Sequence, residues 1–146
     1  MKVYVASSWR NELQPEVVRA IRAAGHEVYD FRHPEPGNDG FHWSAIDPDW
    51  KGWDADQFRT ALDHPVAESG FRLDMTALAS ADATVLVLPC GRSAHLELGF
   101  AVGCEQATCA LLVEGEPELM YKMVDHLATS IADVLDFLNR AAEAMQ

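Results

Sequence analysis

Basic residues are scarce in this 146-residue chain: 11 lysines and arginines face 23 aspartates and glutamates, for a formal net charge of -12 with neutral histidines. Such a field repels a phosphate backbone, which excludes nucleic-acid binding as a class. Long apolar runs are missing too, and no stretch approaches the roughly 20 residues that cross a bilayer. Met1-Lys2-Val3-Tyr4-Val5-Ala6 leads directly into folded-looking sequence, without the apolar segment of a signal peptide. Only 3 cysteines occur, Cys90, Cys104 and Cys109, an odd number set in apolar stretches. They read as free thiols in a reducing, cytoplasmic compartment. No Cys or His pair has the short spacing of a zinc site, so neither metal nor cofactor is expected. Glycine is absent from Ala6-Ser7-Ser8-Trp9-Arg10-Asn11, where a dinucleotide fold would need G-x-G-x-x-G, and the phosphate loop G-x-x-x-x-G-K-[ST] occurs nowhere.

What remains is ordinary globular sequence, 49% hydrophobic and 23% charged, of a length that suits one domain over residues 1–146. Apolar strands and amphipathic helices alternate along it. Val3 to Ala6 reads as a buried parallel strand. Pro15 opens a helix with the stripe Val17, Val18, Ile21 and Ala24, and Gly25 ends it. His26 to Phe31 reads as a second strand. Residues 32–63 form an insertion rich in Pro, Gly, Asp and aromatics, long enough to carry function. Helices follow over part of Asp54 to Asp63 and from Pro65 to about Ser80. Ala83 to Leu88 is the clearest strand, β-branched and uncharged. Ser93 to Gln106 is the next helix, with Ser93 as its N-cap. Thr108 to Val113 is a strand, Leu127 to Thr129 a short fifth, and Ser130 caps a final helix to about Met145.

This order predicts right-handed crossovers and an α/β fold: a doubly wound, mostly parallel sheet of four to five strands. Ligands of such sheets bind beyond the carboxyl ends of the strands. That rule directs attention to Ser7 to Asn11 after the first strand, Asp30 to Arg32 after the second, and Pro89 to Glu97 after the central one, with Ser7, Ser8, Trp9, Asp30, Phe31, Gly91, Arg92 and Ser93 as candidate binding residues. Gly91-Arg92-Ser93-Ala94-His95 nearly matches the serine-hydrolase elbow G-x-S-x-G, but lacks its last glycine. Asp125 and His126 are the only downstream partners, and as neighbours in the chain they are poorly placed for a relay.

Two carboxylates break the amphipathic pattern. Phe71, Asp74, Met75 and Leu78 share one helical stripe, so an acid stands where packing asks for leucine. Glu97 lies among Ala94, Phe100, Ala101 and Cys104, on a face otherwise apolar or small. Gly99 and Gly103 point to close approach by the sheet or by a neighbour. A buried carboxylate without partners costs several kcal/mol or shifts its pKa. Structural hydrogen bonding explains either acid alone; both together, flanking one central strand, point to function. Near the start of its helix Glu97 is favoured in the ionised form, fit for nucleophilic attack. Asp74, amid apolar residues, is favoured as a proton donor. A charged and a neutral carboxylate is the division of labour of glycosidic cleavage. The phenol of Tyr4 on the first strand can hold the glutamate, or can simply be a satisfied core tyrosine.

Val3-Tyr4-Val5-Ala6, the stretch from Asp74 through Ala81-Asp82, and Ser93 through Glu97-Leu98-Gly99-Phe100-Ala101 together resemble the nucleoside 2-deoxyribosyltransferase family and its nucleotide N-glycosidase relatives. The resemblance implies a doubly wound, Rossmann-like fold and cleavage of the bond between a base and 2-deoxyribose, with transfer of the sugar to another base or to water. It makes Glu97 the nucleophile, Asp74 the acid serving the base and Tyr4 the residue orienting the glutamate. It further implies a homo-oligomer, a dimer or larger, and a small nucleoside or nucleotide as substrate. The transferases carry an aspartate six residues before the nucleophile, where this chain has Gly91, which puts base exchange in question. Gly91-Arg92-Ser93 at a helix N-terminus instead suits an anion, as in relatives that hydrolyse nucleoside 5′-monophosphates. Phe41, His42 and Trp43 in the insertion serve either to stack on a base and close over the site, or as a peripheral mini-core or subunit contact. Two rival readings are a non-catalytic nucleotide-sensing module and a glycohydrolase acting on another ribosyl compound, such as a dinucleotide.

Overall fold

Five short strands pair in parallel at the centre of the protein, and a computed structural model describes them together with every other residue of 1–146. They are β1 (Lys2–Ala6), β2 (Glu27–Asp30), β3 (Ala83–Val87), β4 (Ala107–Leu111) and β5 (His126–Ala128). The helices are α1 (Gln14–Ala23), α2 (Ala55–Ala61), α3 (Pro65–Ala79), α4 (Arg92–Gly103) and α5 (Ile131–Ala144). By contact the chain divides into two units, Met1–Asp30 with Leu78–Gln146, and Phe31–Ala77.

The first unit contains the sheet, in the order β2-β1-β3-β4-β5, with every pairing parallel. The doubly wound expectation holds, and the fifth strand is real. All five residues of β3 are buried, as befits an uncharged run covered on both faces. Chain order reverses beside β1: β2 lies on one side of it and β3 on the other. The exits of β1 and β3 therefore form the topological switch point at which such sheets open a crevice.

Val17, Val18 and Ile21 bury the inner face of α1, and Gly25, at φ 90°, ends that helix in a conformation that costs glycine little. Ser130 caps α5 as expected, its hydroxyl accepting from the amide of Asp133 at 3.1 Å. Val134 and Leu138 of that helix join Val3, Val5, Val85 and Leu111 in the core. At the amino ends of the strands, side chains replace missing backbone partners. Asp82 accepts from the Lys2 amide, and Asp125 accepts from both the amide and the hydroxyl of Thr108.

Several expectations change. Helix α4 begins at Arg92 with Gly91 as its N-cap and has no side-chain cap, so Ser93 is not the cap. It already lies inside the first turn, where its hydroxyl no longer stands over the free amides. Phe71 is 63% exposed, so the stripe shared with Asp74 is buried only toward Leu78. Phe100 and Cys104 are exposed as well, because the face of α4 that meets the sheet is Ala94, Leu98 and Ala101. A methyl group built on Gly99 or Gly103 would meet nothing within 4 Å. The sheet is therefore not what calls for these glycines.

The second unit holds α2, most of α3 and two 3-10 turns, Trp43–Ala45 and Trp50–Gly52. Asp54 and Gln57 close a capping box at the start of α2. The unit's small core is aromatic. Trp43 meets Phe41, Trp53 and Phe58 edge to face, with ring centroids 4.7, 5.7 and 5.7 Å away.

Candidate functional site

Both loops at the switch point belong to the first unit, and buried side chains tie them together. Ser7 Oγ donates to the Val87 carbonyl at 2.8 Å. Asn11, 4% exposed, donates from Nδ2 to the carbonyls of Val87 and Pro89, each at 3.1 Å, while its Oδ1 accepts from the Leu13 amide. Proline supplies no amide, and past Leu88, whose amide reaches Leu111, the turn toward α4 runs through Pro89. Side chains therefore do much of the work of shaping it.

From that turn α4 departs with Glu97 half-buried near its start. The Glu97 carboxylate is close enough to act on Cys90. Burial first, and then the charge of Glu97, push that thiol up to about 11. Cys90 is thus a neutral S–H at physiological pH and no nucleophile. Its sulfur lies 3.7 Å from Nδ1 of His95, and the same nitrogen lies 2.8 Å from the Gly91 carbonyl oxygen. Two acceptors would repel at that distance, so Nδ1 carries the proton and donates to Gly91. Nε2 then accepts from the hydroxyl of Tyr121, 2.8 Å away in the 3-10 stretch Leu119–Met123. Burial, with the neighbouring Cys90 and Glu118, raises Tyr121 and keeps it a donor.

Tyr4 is 1% exposed in the middle of β1, and its ring stacks on Tyr29 of β2, centroids 5.4 Å apart. Ser7 and Ser8 are half-buried in the loop after β1, and Trp9 is exposed there. Asp30, buried at the end of β2, accepts at 2.9 Å from the carboxamide of Gln14, which is fully buried. Gly91, Arg92 and Ser93 are exposed in the first turn of α4. Of the expected site, the first unit therefore holds Ser7, Ser8, Trp9, Asp30, Gly91, Arg92, Ser93 and Glu97 at or beyond the carboxyl ends of β1, β2 and β3, with Tyr4 buried in the middle of β1.

Phe31, Phe41, His42, Trp43 and Asp74 belong to the second unit. Asp74 is half-buried on α3. Phe41 and Trp43 are engaged in the aromatic core, and Phe41 also lies against α3, where a methyl on Gly70 would come within 3.0 Å of its Cβ. The peripheral mini-core reading describes those two rings. His42 is exposed, with Nε2 3.3 Å from the Asp39 carbonyl.

A serine-hydrolase relay is absent. His126 pairs through Nε2 with Asp133 at 2.7 Å, and Asp125 is bound to Thr108, so neither serves Ser93. No group of three or more His, Cys, Asp or Glu side chains is arranged to hold a metal ion. No helix is long and apolar enough to cross a membrane.

Gln14 and Tyr121 lie outside the stretches that the sequence selects; Asn11 and His95 lie inside them, but nothing in the sequence gives them a role. His95 carried one signal, its place four residues after Gly91 in the first turn of a helix. Asn11 carried only its position in a loop after a strand. A cavity of about 730 Å³ runs along the outer side of α4 between Arg92, His95 and Gly99 and the stretch Met120–Met123.

Compared with known proteins, the whole fold is shared. The 2-deoxyribosyltransferase of the psychrotolerant bacterium Bacillus psychrosaccharolyticus superposes with a TM-score of 0.63 at 17% identity, over 93% of this chain and 91% of that one. The CMP N-glycosidase of Clostridium botulinum superposes with a TM-score of 0.52 at 15% identity, over 95% of this chain and 99% of that one. No protein-family model matches the chain, and no curated protein matches it by sequence.

Proposed function

We propose that the protein cleaves the N-glycosidic bond of a (deoxy)nucleoside or nucleoside 5′-monophosphate. The observation that carries the proposal is the half-buried carboxylate of Glu97, set on α4 where the chain leaves central strand β3, beside the switch point of the sheet. The shared fold with a 2-deoxyribosyltransferase and a CMP N-glycosidase supports it.

In this mechanism a Glu97 oxygen bonds to the anomeric carbon of the sugar as the bond from that carbon to the base nitrogen breaks. The leaving base takes a proton from the carboxyl group of Asp74. Water, or a second base, then attacks the same carbon while giving its proton to the Asp74 carboxylate, which restores the acid and releases Glu97 as carboxylate. Tyr4 orients the glutamate, and Ser7, Ser8, Trp9, Asp30 and Phe31 line the sugar and base. Gly91, Arg92 and Ser93 receive the 5′ end. The first turn of α4 has no side-chain cap, and its free amides with the Arg92 guanidinium suit a phosphate despite the acidic chain.

Free thiols at Cys90, Cys104 and Cys109 fit a reducing, cytoplasmic setting. Self-association fits the outer side of α4. Leu96 is 76% exposed there, Phe100, Met120 and Met123 are exposed too, and Gly99 and Gly103 leave room for a second copy to approach. Light scattering giving a monomer mass at micromolar concentration would remove that part of the reading.

The decisive experiment is a panel of nucleosides and 5′-monophosphates, with and without free adenine, followed by chromatography of released or exchanged base. Release of base by wild type and its loss in Glu97→Gln is the expected result. No turnover by wild type on any member, with ligand binding intact, would make this a sensing module. Release of nicotinamide from a dinucleotide instead would make it a glycohydrolase of another class.

A further inference from the structure

The turn between β3 and α4 is held from two sides by Asn11 and His95, which lie in the stretches selected at the strand ends but to which the sequence gives no role there. On one side is Asn11. Its buried carboxamide gives its N–H groups to Val87 and Pro89, 76 and 78 positions away in the chain, and binds its own loop through the Leu13 amide. On the other side is His95. Its Nδ1–H donates to the Gly91 carbonyl and its Nε2 accepts from the Tyr121 hydroxyl, which ties the first turn of α4 to the 3-10 stretch beyond β4. The carbonyls of Val87, Pro89 and Gly91 belong to alternate residues of this bent passage, and each one is held by a side chain rather than left to find solvent.

That arrangement has a directional consequence. A peptide carbonyl and the following amide point opposite ways, so holding three alternate carbonyls fixes where the intervening amides face.

We propose that Asn11 and His95 are positioning residues of the candidate site, which together orient the Cys90–Ser93 turn toward the ligand. The proposal rests on the glycosidic reading above and adds to it the groups that pre-organise its 5′ end. Tyr121 acts through His95: it holds the ring in the tautomer that donates to Gly91. Neither Asn11 nor His95 touches the substrate in this scheme.

His95 offers the cleaner test, since it is only half-buried on a helix and its replacement leaves the core intact. His95→Asn keeps an N–H near the place of Nδ1 and loses Tyr121, whereas His95→Gln loses the bond to Gly91. With the substrate that wild type turns over, His95→Gln is expected to raise KM about ten-fold with kcat changed less than about three-fold. His95→Asn is expected to stay within about three-fold of wild type in both, as misplacement rather than lost chemistry predicts. Asn11→Ser, which keeps one donor at shorter reach, is expected to act in the same direction as His95→Gln. Amide ¹H–¹⁵N shifts of Gly91, Arg92 and Ser93, recorded without substrate, should move in His95→Gln and return in His95→Asn. Unmoved shifts in His95→Gln, or a fall in kcat with unchanged KM, would overturn the proposal. If wild type cleaves nothing, the glycosidic reading fails by itself, and the amide shifts still decide whether the two residues set the turn.

Discussion

The Glu97 carboxylate lies near enough to Cys90 to raise the pKa of its thiol, on top of the larger effect of burial, to about 11. A carboxylate that a partly buried neighbour feels in this way is itself incompletely screened by water, which is the setting a nucleophilic carboxylate needs. The pair also gives the site a chemical reporter.

Alkylation with iodoacetamide at about pH 8 should therefore be slow at Cys90 and faster at exposed Cys104, because only a thiolate attacks. Glu97→Gln removes one of the two effects raising Cys90 and should increase its labelling rate while burial keeps it slow. Mass-spectrometric mapping of the labelled peptides reads both. An unchanged Cys90 rate in Glu97→Gln would mean that the two groups are not electrostatically linked.

On the proposed mechanism, loss of the Glu97 carboxylate should be far more damaging than loss of a binding group. Glu97→Gln should lower kcat by at least ~10³-fold, the scale on which single catalytic groups act. Circular dichroism and the melting temperature should stay near wild type.

Arg92 separates nucleotides from nucleosides. Arg92→Ala should raise KM for a 5′-monophosphate roughly ten-fold or more, since a charge-assisted hydrogen bond is worth about 1.5–3 kcal/mol. KM for the corresponding nucleoside should barely change. Equal effects on both substrates would remove the phosphate from the proposal.

Acid stability has a local reporter in Asp133. The hydrogen bond from His126, then the Thr129 amide, hold its pKa below the usual carboxylate value, and the His126 ring in turn stacks on Phe137. A carboxylate depressed in the folded state stabilises above its unfolded pKa of about 3.9 and loses that contribution as pH falls through the folded value. Urea midpoints should drop more steeply between about pH 5 and 3 in wild type than in Asp133→Asn. Parallel curves would show that the pair contributes nothing.

The core sets the scale of ordinary damage. Leu138→Ala, at a fully buried position of α5, should cost about 2–5 kcal/mol by urea unfolding, because it leaves a cavity against the sheet.

Much of the fold was legible because its signals are local. The β-branched, uncharged run at Ala83–Val87 has no stable place except a sheet covered on both faces, and Pro15 with Gly25 brackets α1 through backbone sterics alone. The alternation of such segments leaves little choice but parallel crossovers. Glu97 stood out for the opposite reason, as an acid on a stripe expected to be apolar and buried, whereas the structure exposes Phe100 and Cys104 of that stripe and leaves Glu97 half-buried.

The misplaced N-cap and the overlooked clamp share a cause. Ser93 carries the residue type of a cap, but the cap position is decided by where the passage from Pro89 turns, and that is fixed by Asn11 from more than seventy residues away. The exposed side of α4 was unreadable likewise, since helical periodicity gives the spacing of a stripe and not which neighbour covers it.

Residue order alone determined the strands, the helices, their alternation and the out-of-place acid, because backbone sterics and apolar periodicity act between residues close in the chain. Only the tertiary structure decided that Asn11 and His95 grip successive carbonyls of one turn, since such bonds exist only once distant segments have been brought together.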